Sequence, residues 1–371
     1  MQTVFISSIQ SGFEDVRAAA RAGVESFGWR AMMAETIGAA PASPQRALLD
    51  GVADSDALLL LVGPRYGLRQ ESGLSATEDE FDEARRRGKP ILVLRQEGEL
   101  ELEQQAFLER ATGGWEGGAL YGTFRDASDV GLAVVRGLTN IRDRGARATL
   151  EPAAQDRAAA FAADARRQGG SIVRVALVPL IDQLLLQAAA LEDRNLPEEL
   201  AAAARAARLV QQSEGIATNV SAAGIQLHVG EQYAGRALTV GANGEIVVEA
   251  SVGGDDRNFG SMRVLPERLE EAIRGAAAFA ESAWKRIDRR GEVQEVAVML
   301  AIPEAQHKSW GRGRGGNTIS MGGMFSLPET AIAPEPARVL RRADLGREET
   351  TRGLVAEVRR LFVDAGAVDE P

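Results

Sequence analysis

Cysteine is missing altogether from the 371 residues, and histidine occurs only twice, as His228 and His307. The first absence excludes disulfides, thiolate metal sites and cysteine nucleophiles. The second leaves too few imidazoles for a histidine-rich centre, so no metal site is expected. No uninterrupted apolar run approaches the roughly 20 residues that span a bilayer. The first residues also lack a basic stretch followed by an apolar core, so the expectation is no secretory signal, no membrane partner and a cytoplasmic location. Positive charge is in deficit as well: 43 basic against 53 acidic side chains leave a net charge of −10. That balance argues against broad contact with a phosphate backbone, and nucleic acid is not an expected partner.

What is present is an ordinary globular composition, 45% hydrophobic and 26% charged, in a chain long enough for two domains. Up to about residue 142, short apolar runs alternate with helical patterns. Thr3 to Ile6 reads as a buried strand, Phe13 to Ser26 as a helix, and Gly28 to Met33 as a second strand. A helix starts at Ser43 or Pro44 and runs through Val52. Ala57 to Val62 is a continuous apolar run of the kind central parallel strands carry. Ser75 opens another helix, which Arg85-Arg86-Arg87 closes in keeping with the helix dipole, and Ile91 to Leu94 is the next strand. A last strand near Leu120-Tyr121 and a helix from about Asp126 to Leu138 complete an α/β unit. This order predicts a flavodoxin-like parallel sheet flanked by helices. Ligands of such sheets bind beyond the carboxyl ends of the strands, where Ser7-Ser8 and the loop from Gly63 to Thr77 lie.

Residues 143–170 read as a helical linker, alanine-rich from Glu151 to Arg167. Residues 171–371 read as a separate α+β domain with a mainly antiparallel sheet. Its expected strands are Ile172–Val178, Gly224–Val229, Arg236–Val240, Glu245–Ser251 and Val293–Ile302, with Asn243-Gly244 marking a hairpin turn. Helices are expected at about Leu180–Leu191, Pro197–Gln212 and Pro266–Arg289.

Among residues able to do chemistry, Glu80 stands out as a carboxylate in the first turns of a helix, beside a loop rich in hydroxyls and glycine. The alternative is that it belongs to a solvated acidic face with Glu78, Asp79, Asp82 and Glu83. Ser7 and Ser8 can hydrogen-bond a ribose or phosphate, or cap the following helix. Arg65 can pair with a phosphate and Tyr66 can stack on a base, or both can pack the turn after the central strand. Glu35 lies beyond the second strand, within reach of a ribose hydroxyl. Gly311-Arg312-Gly313-Arg314-Gly315-Gly316 lacks the lysine and spacing of a phosphate-binding loop and reads as a flexible loop, the alternative being a nucleotide or RNA contact or, with His307 and Trp310, a ligand-sensing or assembly surface. His228 reads as a core histidine in a strand.

The N-terminal motifs add a resemblance. Val4-Phe5-Ile6-Ser7-Ser8, Glu14-Asp15-Val16-Arg17, Ser55-Asp56, Gly63-Pro64-Arg65-Tyr66-Gly67, Gly73-Leu74-Ser75-Ala76-Thr77-Glu78-Asp79-Glu80-Phe81 and Gly88-Lys89-Pro90-Ile91 occur in the order seen in the DUF4062 family. This family is a relative of the TIR domain, and residues 1–142 resemble it. No family suggests itself for residues 171–371. The resemblance implies that Glu80, four residues before Ala84, corresponds to the glutamate with which TIR-type enzymes cleave the nicotinamide–ribose bond of NAD. The tryptophan common before that glutamate is missing here, and Ser75 and Thr77 occupy the segment instead. The same stretch is similar to nucleoside 2-deoxyribosyltransferases, which also place a glutamate before an alanine on such a helix.

Both families work at an N-glycosidic bond, where a carboxylate stabilises or attacks an oxocarbenium-like ribose. The implied activity is an NAD glycohydrolase or cyclase, with NAD as substrate and no cofactor required. Glu80 would be catalytic, and Ser7, Ser8, Arg65, Tyr66, Ser75 and Thr77 would line the pocket. Bacterial stress or antiphage defence is the implied setting. A homo-oligomer is the expected state, with an unknown activating ligand or protein acting at the C-terminal domain. Two alternatives stand beside this: a nucleoside or nucleotide N-glycosidase or transferase, and a non-catalytic TIR-like signalling or scaffold protein.

Overall fold

The computed structural model describes residues 2–38, 43–113, 121–164, 171–230, 236–253, 263–311 and 326–368. The chain divides into two units, Met1–Ala146 and Arg147–Pro371.

The first unit runs β1 (Thr3–Ser7), α1 (Glu14–Ser26), β2 (Arg30–Met32), α2 (Pro44–Asp54), β3 (Ala57–Val62), α3 (Ala76–Arg86), β4 (Ile91–Gln96), α4 (Leu102–Thr112) and β5 (Tyr121–Phe124). It ends in the first part of α5 (Ala127–Ala163), a helix that continues into the second unit. The five strands pair in the order β2-β1-β3-β4-β5, and every pairing is parallel. This is a doubly wound α/β sheet with its topological switch point between β1 and β3.

Strand alternation decides what covers each face. Val4, Ile6, Ala57, Leu59 and Leu61 join Val16, Ala20 and Val24 of α1 and Val130, Val134 and Leu138 of α5 in one core. Phe5, Leu58, Leu60, Val62 and Val93 point the other way, against Val52 of α2, Phe81 and Ala84 of α3, and Phe107, Leu108 and Ala111 of α4. Because both faces are covered, β3 has no polar residue: all six of its side chains are buried. Helix α2 starts where the sequence says, with Ser43 Oγ accepting from the Arg46 N–H and proline at the first helical position.

Helix α4 is an addition to the sequence reading. Its buried residues, Gln104, Phe107, Leu108 and Ala111, keep helical spacing. One of the four is polar, though, and the surrounding glutamates mask the stripe. Gln104 is accommodated because its amide donates to the Gly63 carbonyl at 2.9 Å. Gly63 itself has no room for a side chain, since a Cβ there would lie 2.7 Å from the Phe13 ring.

The second unit begins within α5 and continues with β6 (Ile172–Pro179), α6 (Ala188–Leu191), α7 (Asn195–Ala206), β7 (Ile216–Ser221), β8 (Gly224–Val229), β9 (Arg236–Gly241) and β10 (Ile246–Ser251). Then come β11 (Arg263–Val264), α8 (Pro266–Ile287), β12 (Glu295–Pro303), β13 (Ser309–Trp310), β14 (Thr330–Arg341) and α9 (Glu348–Asp364). Seven strands form a sheet in the order β14-β12-β6-β10-β9-β8-β7, antiparallel throughout, and β11 pairs with β13 separately.

One face of this sheet packs on α7, α8 and α9 around the fully buried Leu200, Phe279, Trp284 and Phe362. Opposite it, Ala154, Ala158 and Ala162 of α5 pack on Val178, Ala297, Met299 and Ala337. The alanine-rich stretch that reads as a linker therefore supplies core to the second unit, since small side chains at i, i+4 and i+8 let the helix sit close to the sheet.

Several expectations change here. Leu180–Leu191 is helical only from Ala188, and β7, β14 and α9 appear where no element was assigned. His228 is exposed on β8 rather than in the core, because it alternates with Leu227 and Val229, which take the core face. The glycine–arginine motif falls outside the described residues from 312 on, as do Leu120 and the end of the expected linker helix.

Candidate functional site

Glu80 lies on the buried stripe of α3, with Thr77, Phe81 and Ala84 at helical spacing. That placement removes Glu80 from a solvated acidic face: Asp82 is exposed, whereas Glu78 and Glu80 are buried, Glu80 at 6% exposure and hydrogen-bonded to the sheet. Helix α3 is anchored by Ser75, whose Oγ accepts from the Glu78 N–H at 3.3 Å. Ser7, the last residue of β1, donates its hydroxyl proton to Glu80 Oε2 at 2.5 Å. The carboxylate therefore sits at the carboxyl end of β1, beside the switch point.

Burial is the main influence on this acid and pushes it up to about 7, against the Ser7 hydrogen bond and the charge of Arg17, which pull it down. An acid in this range changes protonation state near neutral pH, which suits general acid–base work.

Arg17 is the member of this group that carried no assigned role in the sequence reading. It is 3% exposed on the inward stripe of α1, with Val16, Ala20 and Val24. Its guanidinium is held on two sides. Nε donates to Glu35 Oε1 at 2.8 Å, and Nη2 forms an ion pair with Glu35 Oε2. Nη1 donates to Ser8 Oγ at 2.7 Å. Burial acts to raise Glu35, but the Arg17 hydrogen bonds and charge outweigh it and hold that carboxyl below its ordinary value. An arginine on a core-facing helical stripe was the available sequence signal, because a charge is placed there only with partners. Replacing Arg17 with Met should raise the Glu80 titration above about 7, since the counter-charge is lost. Carboxyl-carbon NMR of the two proteins would check this, and an unmoved or lowered Glu80 would refute it.

The remaining candidates separate into two places. Arg65 is exposed, and its Nη2 donates to the Ser11 carbonyl in the loop that follows Ser7 and Ser8. Tyr66 is 3% exposed, with its ring edge-on to Phe107 and its hydroxyl donating to Glu78. Glu78 also pairs with Arg110 on α4. Tyr66 therefore offers no free face for stacking, and burial together with Glu78 raises its phenol further from ionisation. Ser75 and Thr77 are buried in the first turn of α3. The structure thus gathers Ser7, Ser8, Arg17, Glu35 and Glu80 into one polar group and places Tyr66, Ser75 and Glu78 in a second that anchors α3. Among the described residues, no group of three or more histidine or acidic side chains could hold a metal, and no helix is long and apolar enough to cross a membrane.

A crystal structure described as a conserved protein from Enterococcus faecalis V583 is similar at 16% identity, covering 37% of this chain and 98% of its own, with a TM-score of 0.25. No curated protein matches the chain. Residues 3–138 match the family model DUF4062, described as a domain of unknown function.

Proposed function

We propose that the N-terminal unit is a TIR-like glycosidase that cleaves the nicotinamide–ribose bond of NAD. The observation that carries this reading is the Glu80 carboxylate, buried beside the switch point of a parallel sheet and held by the Ser7 hydroxyl. In NAD the nicotinamide is already cationic. Breaking the C1′–N bond returns the electron pair to the ring nitrogen, nicotinamide leaves neutral, and positive charge develops on the ribose. The ionised Glu80 stabilises that charge, and water, or an intramolecular nucleophile in a cyclase, completes the reaction. No proton has to be delivered to the leaving group, so one carboxylate suffices and no cofactor is needed. Glu35, fixed by Arg17 and about half exposed, is suited to accept hydrogen bonds from ribose hydroxyls. A role in bacterial stress or antiphage defence, activated by assembly through the C-terminal unit, extends the same reading by analogy.

The value near 7 for Glu80 also suits a second reading, cleavage of a neutral nucleoside, in which the protonated acid supports departure of the base. The two differ in pH dependence. NAD cleavage should rise with pH through about 7 as Glu80 ionises, whereas a reaction that needs the protonated acid should fall.

The test is nicotinamide release from NAD, followed by proton NMR at high protein concentration across this pH range, for the wild type and Glu80→Gln. Release by the wild type, with a loss of at least about 100-fold in the variant, is expected for a group acting on the transition state. Equal release by both proteins would remove Glu80 from the chemistry. Silence from the wild type with NAD, together with turnover of nucleosides, would replace NAD by the second substrate class.

A further inference from the structure

The two edges of the seven-stranded sheet are built in opposite ways. On the outer strand β14, Pro334 and Pro336 lie where the pairing with β12 is broken, and charges follow at Arg338 and Arg341. The register against β12 slips there, with Val298 opposite Arg338 but Leu300 opposite Ala333. Prolines, charges and a bulge are the standard devices that prevent an edge from pairing with another chain.

The other edge, β7, has none of them. Its sequence, Ile216-Ala217-Thr218-Asn219-Val220-Ser221, contains no proline, lysine or charged residue, in a chain that carries a net charge of −10. Five of the six residues are exposed, and Val220 is 40% exposed. Among the described residues no strand pairs with its outer side.

The ladder with β8 fixes what that outer side offers. Ser221 pairs with Gly224, Asn219 with Gln226 and Ala217 with His228, and the Gly230 N–H donates to the Gly215 carbonyl just beyond. Hydrogen-bonded pairs alternate along an antiparallel ladder, so the backbone groups of 217, 219 and 221 point to β8. Those of Ile216, Thr218 and Val220 point outward. The side chains of these three lie on the same sheet face as their partners Val229, Leu227 and Ile225, which belong to the core.

We propose that β7 is a self-association edge, pairing antiparallel with β7 of a second copy about a two-fold axis through Thr218. Such an axis, perpendicular to the sheet, keeps each side chain on its own face, so residues opposite one another must be an even number apart in sequence. Centring on Thr218 places Thr218 against Thr218 of the second copy, and Ile216 against Val220 twice. All three outward-facing residues then exchange main-chain hydrogen bonds. Val220 gains an apolar neighbour, and no like charges meet although both chains are acidic. A second copy fits this edge better than a charged peptide, because the strand offers nothing for a charge to pair with.

The absence of native cysteine makes the register directly testable. In the full chain, Thr218→Cys should form an intermolecular disulfide under mild oxidation, because the two thiols face each other across the axis. Asn219→Cys should not, because in this register it lies opposite Ala217. Independently, the wild type should sediment as a dimer at micromolar concentration. Thr218→Lys, which sets two ammonium groups side by side, should sediment as a monomer with an unchanged far-UV circular dichroism spectrum and melting temperature at low concentration. A monomeric wild type, a Thr218→Lys protein that remains dimeric, or crosslinking through residue 219 in preference to 218 would each overturn the proposal.

Discussion

Glu80→Gln is expected to stabilise the N-terminal unit at pH 8 and to lose that advantage below about pH 4.5, where the wild-type carboxyl is neutral in both the folded and unfolded states. The sign follows from linkage. An acid raised from 4.5 to about 7 by burial binds more protons in the folded than in the unfolded state between those values. Stability therefore falls as pH rises through that window and stays lower above it. A difference of this size corresponds to roughly 3 kcal/mol. Glutamine keeps an oxygen that can accept from Ser7 and removes the buried charge, although its amide N–H groups must find acceptors, so a gain of about 2 kcal/mol is a realistic expectation. Urea unfolding at pH 4.5, 6 and 8 would read it. A variant equally or less stable than the wild type at pH 8 would mean that the site solvates the charge far better than its burial suggests. The expected gain would mean instead that Glu80 costs the fold stability, the trade expected where a functional group is held in an unfavourable environment.

In the second unit the largest expected loss comes from Trp284→Ala, at about 4 kcal/mol. Trp284 is completely buried on α8, and its indole N–H donates to the Gly244 carbonyl at 2.8 Å. Gly244 occupies the Asn-Gly turn between β9 and β10, with φ of +82°. The Arg342 guanidinium lies 5.5 Å from the indole ring centroid. That arginine also donates to Asp288 at 3.3 Å, and Asp288 in turn accepts the backbone N–H groups of Glu292 and Val293. Truncation leaves a cavity beneath the central sheet, an unpaired carbonyl in a tight turn and an arginine without its aromatic face. Trp284→Phe keeps most of the volume and loses the hydrogen bond, so it should cost about half as much. Chemical unfolding followed by far-UV circular dichroism would measure both. A loss below about 1.5 kcal/mol for the alanine variant would show that the site collapses around the cavity.

Where an element has a single strong pattern, the sequence alone located it. Ala57–Val62 reads as a doubly covered strand, Ser43 and Pro44 as a helix start, and Asn243-Gly244 as a hairpin turn, and each is found so. Where the pattern is diluted by polar or small residues, it did not. Gln104 hides the stripe of α4, and alanines at 154, 158 and 162 read as a linker although they form part of a core. Strand β7 is too exposed to carry any alternation of burial.

The candidate site divides in the same way. Glu80 was legible as a carboxylate in the first turns of a helix beside a loop rich in hydroxyls and glycine, although its burial on the stripe of Thr77, Phe81 and Ala84 was not. Ser7 and Ser8 were legible because they end a strand that the hydrophobic run defines. Which oxygen meets which hydrogen was decided only by the tertiary structure. The pairing of β1 beside β3 brings Ser7 to Glu80 across 73 residues of sequence, and α1 carries Arg17 to Glu35 and Ser8. The hydrogen bonds by which Tyr66 and Ser75 anchor α3 were decided in the same way. Local sequence fixes periodicity, caps and turns, because those depend on neighbours a few residues away. Burial, ion-pair partners and the resulting acidity of Glu80 arise from segments that meet only when the sheet has formed.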